Sequence, residues 1–248
     1  MTIESRIDFF QKVSVSLMTL AFFLAVAATP AQTTSPDVGL VTKLSGEATY
    51  WNKDEQRQPT QAQDFMKLRQ GDHLKLAGPG SLQLLYFASG RQETWKGPAI
   101  LIVGDLESAA AGDKKPLPQP EVLILSTKVT KRIEGLPLTL PPSSTLYSGG
   151  IQTRGVRPPG PGKTLAPPPL SAEDRGKIQE AETIYQDLRK KSPADDPTPE
   201  LYFLGVLAEY KQYPEMEKLI NTMQIKRPGD AALMDLKAWV RSQSASQN

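Results

Sequence analysis

The sequence predicts an α+β, multidomain chain: a small all-β domain, then a proline-rich connector, then an α-helical repeat tail. Three observations carry this. Short apolar runs alternate with polar residues and are punctuated by glycine turns from residue 37 to about residue 106. Proline, at 22 residues of 248, is concentrated between the two ends. From Ser171 to the C-terminus the apolar period changes to that of amphipathic helices.

The first 31 residues read as an export address. A short polar start containing Arg6 and Lys12 precedes a charge-free apolar run from Val13 to Ala28, and small residues follow through Ala31. That order is the order of a secretory signal peptide, with cleavage expected after Ala28 or Ala31. The run is shorter than the roughly 20 residues a membrane helix needs. Glu4 and Asp8 dilute the basic start, so an uncleaved anchor is the other reading of this segment. Membrane contact is expected only in that case, and the expected location is the periplasm or cell envelope.

Strands are expected over Val38–Thr42, Gly46–Trp51, Leu74–Leu76, Leu82–Phe87, Arg91–Trp95 and Ala99–Val103, with turns at Ser45-Gly46, Gln70–His73, Gly78-Pro79-Gly80 and Ser89-Gly90. The ordered set Gly39-x-Val41, Gly46-Glu-Ala, Gly71-Asp72-x-Leu74 and Ala88-Ser-Gly90 resembles the FecR domain, a bacterial periplasmic β module, over about 65 residues. The resemblance implies an extracytoplasmic binding or assembly unit over residues 37–106. It does not bring sigma-factor control with it, because only about a dozen residues precede the apolar run. Trp51 and Trp95 are candidates for stacking on a glycan or a partner; core packing on a pleated surface is the other reading.

The connector spans residues 107–170. Glu121–Val129 reads as a strand, either completing the β domain's edge or pairing with Gly149–Val156. From Arg157 to Pro169 the chain favours extended, semi-rigid polyproline-like structure. Gly160-Pro-Gly-Lys-Thr164 lacks the first glycine of a phosphate loop, since residue 157 is arginine, and prolines rather than a helix follow it.

The tail, residues 171–248, is expected to form four helices. Ser171 with Asp174 makes a capping pair, and the first helix runs to Lys191 before Pro193. The others are expected over Pro199–Gln212, Glu215–Lys226 and Asp230–Ser242. The segment Ala181–Pro193 parallels Met216–Pro228 at an offset of 35 residues. With the Leu204-Gly205 step between them, this resembles degenerate tetratricopeptide repeats. The resemblance implies a concave groove lined by Tyr202, Val206, Glu209 and Tyr210, joined by Asp235 and Trp239, that holds a protein partner. Packing between helices is the other reading of Tyr202, Val206 and Trp239.

Chemistry is not expected. The chain has no cysteine and one histidine, His73, so thiolate nucleophiles and thiolate metal sites are excluded. No cofactor or metal is expected. A net charge of +2 offers no reason to expect nucleic acid as a partner. Glu47 with Asp72 is the candidate carboxylate pair for a glycan hydrolase. The function expected is that of a non-catalytic envelope binding or scaffold protein engaging a protein partner or a cell-wall polymer. The alternatives are a membrane-anchored extracytoplasmic signalling module and a cell-wall glycan-binding protein.

Overall fold

The computed structural model describes residues 35–52, 59–112, 117–138 and 170–247. The expected signal peptide, the strand considered over 149–156 and the proline run 157–169 lie outside the described residues. Ser35–Asn248 forms one compact unit of mixed α+β architecture, an N-terminal β sheet followed by a C-terminal helical region.

The sheet has eight antiparallel strands: β1 (Asp37–Trp51), β2 (Thr60–Gln61), β3 (Lys67–Arg69), β4 (His73–Tyr86), β5 (Arg91–Lys96), β6 (Ala99–Val103), β7 (Ser108–Ala111) and β8 (Glu121–Ile124). Its main path is β2-β1-β4-β5-β8. In addition β3 pairs with β1, and β6 joins β4 to β7.

Two expected turns are bends within continuous strands. β1 runs through Gly46 and β4 through Gly78-Pro79-Gly80, and the register shifts between Ser45 and Glu47. Gly46 (φ 94°) and Gly80 face each other across the pair, and a Cβ on Gly80 would overlap the Ser45 carbonyl. Glycine here serves close backbone approach at a bulge, not chain reversal. The bend divides β4: its first half pairs with β6 and its second half with β5.

Period two then builds two cores from one pair of strands. Val41 faces Leu84 across the ladder, and both join a core inside the bent sheet with Leu68, Leu74, Leu76, Leu101 and Trp95. Their neighbours Leu40 and Leu85, also paired, point to the opposite face. With Phe65 and Phe87 they enter a second core shared with the helices.

The helices are α1 (Thr127–Glu134), α2 (Ala172–Lys191), α3 (Thr198–Glu209), α4 (Tyr213–Lys226) and α5 (Ala231–Gln247). The four tail helices fall where the sequence puts them, within a few residues. The Ser171 hydroxyl accepts from the Asp174 N–H at 3.0 Å, as the capping pair requires. Ala181 and Met216, which the 35-residue offset aligns, are both buried. α2 packs on α3, α3 on α4 and α4 on α5.

The separation into independent modules is corrected. Residues 107–138 are not simply connector: β7 pairs with β6, β8 closes the β5 edge, and α1 packs against α3. Only Glu121–Ile124 of the expected strand is extended; a helix begins at Thr127. Val129, Thr130 and Ile133 carry β-branched side chains that favour strands locally. Ser126 caps the helix instead, and those three residues are buried on one helical face. One core thus runs from Leu40 and Phe87 in the sheet through Val129 and Ile133 to Leu204, Ile220 and Val240 in the tail.

Polar contacts tie the same interface. The Gln92 amide donates to Asp196 Oδ2 at 3.0 Å, and Arg227 pairs with Asp64 at 2.7 Å while lying over the Phe65 ring. Lys43 pairs with Asp195.

Candidate functional site

α1 and the tail together form a cleft of about 800 Å³. It is lined by residues of α1, α2 and α3 and by Trp239 of α5. α3 supplies three of the six expected residues, Tyr202, Val206 and Glu209, which share a face at helical spacing. Tyr202, Val206, Glu209, Tyr210 and Trp239 all line the cleft. Asp235 does not; it is exposed elsewhere on α5. Tyr202 and Val206 are 4% and 2% exposed, so they form the floor and contribute to packing as well. Trp239 is half-buried and meets Tyr213 edge-on at 5.9 Å between ring centres.

α1 is the wall that sequence reasoning missed. It lies so close to α3 that a Cβ on Gly205 would overlap the Arg132 carbonyl oxygen. Arg132 also pairs with Glu209, a side chain expected to be open to a partner. Burial pushes the Tyr202 phenol above its ordinary value, with Arg132 opposing and Glu180 adding to the effect. The signal for α1 was present: Ser126 as a cap, and Val129 and Ile133 four residues apart.

The two tryptophans separate. Trp95 is 1% exposed, and its indole N–H donates to Glu93 at 2.9 Å and to the Ser108 hydroxyl at 3.0 Å. Glu93 is fully buried and also accepts from Arg91 Nε at 2.6 Å. Trp95 is a core residue, which removes it as a stacking platform. Trp51 is half-buried, with one ring face stacked on His73 at 5.2 Å. The register places Trp51 opposite His73 on neighbouring strands.

The candidate carboxylates are not brought together. Glu47 is exposed and pairs in register with Ala77, whereas Asp72 adjoins the far end of β4, roughly 13 Å further along the strand. Asp72 is 3% exposed and accepts from the Tyr50 hydroxyl at 3.1 Å and the Arg69 N–H at 2.7 Å. Burial raises its pKa to about 6 despite those donors. No group of three histidine or acidic side chains is placed to hold a metal among the described residues. No helix of the described residues is long and apolar enough to cross a membrane.

A second cleft, of about 650 Å³, lies between the sheet and the tail. Its charges are largely spent on one another: Lys43 with Asp195, Asp64 with Arg227, and Arg189 with Glu200 at 2.9 Å. Burial raises the Asp64 carboxyl, against the pull of Arg227. This cleft is a seam that holds the helices on the sheet.

No protein-family model, curated protein or solved structure matches the chain. The resemblances to the FecR domain and to tetratricopeptide repeats therefore rest on the residue patterns quoted above.

Proposed function

We propose that this chain is a non-catalytic binding protein of the bacterial cell envelope, holding a segment of a protein partner in the cleft between α1 and the tail helices. The sheet acts as the platform that positions the groove. A FecR-like sheet and a degenerate tetratricopeptide-like tail are the finer reading of the two halves.

The observation that carries this reading is convergence. Five of the six residues that the tetratricopeptide resemblance implies for a groove, Tyr202, Val206, Glu209, Tyr210 and Trp239, line one open cleft. Concave sites with an aromatic and aliphatic floor and a polar rim are where binding surfaces concentrate. Export is supported by the basic, apolar and small-residue order of the first 31 residues. The non-catalytic reading is supported by the separation of Glu47 from Asp72 and by the burial of Glu93 beneath its own partners.

The test is site-specific photocrosslinking in cells. A photoreactive residue at Tyr210 is expected to capture a discrete product that Trp239→Ala abolishes. The same probe at Lys75, exposed on the sheet, is expected to give none. Equal capture at both positions, or a product indifferent to Trp239→Ala, removes the groove from consideration. Sequencing the mature N-terminus separately checks export.

A further inference from the structure

The groove carries a charge imbalance that specifies more than adhesion. Lys128 and Lys131 of α1, Lys177 of α2 and Lys211 just past α3 are exposed on its rim. Lys177 is paired with Glu173 at 2.7 Å, and Arg132 with Glu209. Lys128, Lys131 and Lys211 have no carboxylate at ion-pair distance among the described residues. The one lining acid left without an ion pair there is Glu180. Three unneutralised cations thus ring a floor of Ala181, Ile184, Tyr202 and Val206.

We infer that the groove takes an acidic polypeptide segment of another protein, with an apolar side chain on the floor and carboxylates against the lysine rim. The inference rests on the binding role proposed above for this cleft and adds the chemistry of the occupant. Charge complementarity decides the sign, because an acidic segment relieves the mutual repulsion of the rim as well as gaining its attraction. The apolar floor decides the class. A polymer that is polar along its whole length leaves the half-buried Ile184 and Trp239 uncovered, whereas a peptide supplies an anchor and charges together. The chain's own connector has the wrong sign for this place. Between Thr139 and Pro169 it contains no aspartate or glutamate, and it carries Arg154, Arg157 and Lys163.

The test is selection of random peptides of about a dozen residues on the purified full chain, followed by affinity measurement by fluorescence anisotropy. The expected winners are rich in aspartate and glutamate around one aromatic or aliphatic anchor. Their affinity should fall about fivefold or more between about 50 and about 200 mM NaCl. Lys128→Glu with Lys131→Glu should weaken them about tenfold, with folding verified by thermal melting, and the salt series on the parent chain tests the same point without any substitution. Winners with no acidic bias and no salt dependence overturn the inference while leaving the groove intact, provided Trp239→Ala still weakens them. Failure to select any peptide, or indifference to Trp239→Ala, takes the groove reading down as well. Polyglutamate competing as well as the selected peptides would assign the rim to polyanions in general and also overturn the inference.

Discussion

Gly205→Ala tests the contact on which both the fused core and the groove depend. In an isolated helix this substitution stabilises by about 1 kcal/mol, because alanine loses less backbone entropy than glycine. In α3 the new methyl group meets the Arg132 backbone carbonyl of α1. A backbone atom cannot rotate aside as a side chain can, so α1 must retreat. Overpacking of this kind costs about 1–3 kcal/mol. The ceiling is full detachment of α1, which would expose Val129, Ile133 and Leu136, all at most 3% exposed now. Each is worth about 1.5–3 kcal/mol, which makes shifting cheaper than detaching. After the propensity gain is subtracted, the expected net loss is about 0–2 kcal/mol, or a Tm lower by up to about 8 °C for a unit of this size. The control is the same substitution at Gly176 in α2, where a Cβ meets nothing within 4 Å. Gly176→Ala is expected to raise Tm by a few degrees, since only the propensity gain of about 0.5–1 kcal/mol operates. Circular dichroism melts and urea midpoints read both. If Gly205→Ala stabilises the protein as Gly176→Ala does, α1 is not seated on α3 and the argument fails.

The remaining expectations concern burial and charge. Glu93→Ala leaves the Trp95 N–H, the Arg91 guanidinium and Ser108 without their shared acceptor, and should cost about 3–5 kcal/mol by denaturant titration; a loss under about 1 kcal/mol contradicts the buried cluster. Met216→Ala should cost about 2–5 kcal/mol, because Met216 is fully buried. Ile225→Ala on the same helix should stay within about 0.5 kcal/mol, because Ile225 is 82% exposed; similar losses at the two sites would mean the helix is rotated from its described face. Asp72 makes stability pH-dependent. Its folded pKa of about 6 lies above the ordinary 3.8, so the folded state holds the extra proton between those values. Stability is therefore expected to fall as pH rises through that window and then level off, by at most about 3 kcal/mol from this group. The difference in stability between parent and Asp72→Asn, measured from pH 4 to 7, should change over that range; a flat difference refutes the assignment.

Much of the fold was legible because its signals are local. Ser171 with Asp174 caps α2, Pro193 and Pro228 follow the helices they terminate, and the parallel between Ala181 and Met216 aligned two buried positions. The hairpin at Ser89-Gly90 and the turn at Gly71 were visible for the same reason. The bends at Gly46 and Gly80 were misread as turns. A glycine looks the same whether it reverses a chain or admits a neighbouring backbone, and the neighbour lies on another strand. The strand-to-helix change at Thr127 was missed because β-branched residues favour extension when the helix they pack against is not yet known. Trp95 was ambiguous because its partner Ser108 lies beyond the expected domain boundary.

What the sequence by itself determined was the inventory: strands punctuated by glycine, tail helices bounded by a cap and by prolines, and the stripe of Tyr202, Val206 and Glu209 on α3. These follow from period, caps and breakers, which act within a few residues along the chain. Only the tertiary structure decided that sheet and tail share one core, and that α1 forms a wall of the groove and brings lysines to its rim. Those outcomes depend on pairs such as Asp64 and Arg227, 163 residues apart, whose meeting is set by the simultaneous burial of both faces of β1 and β4.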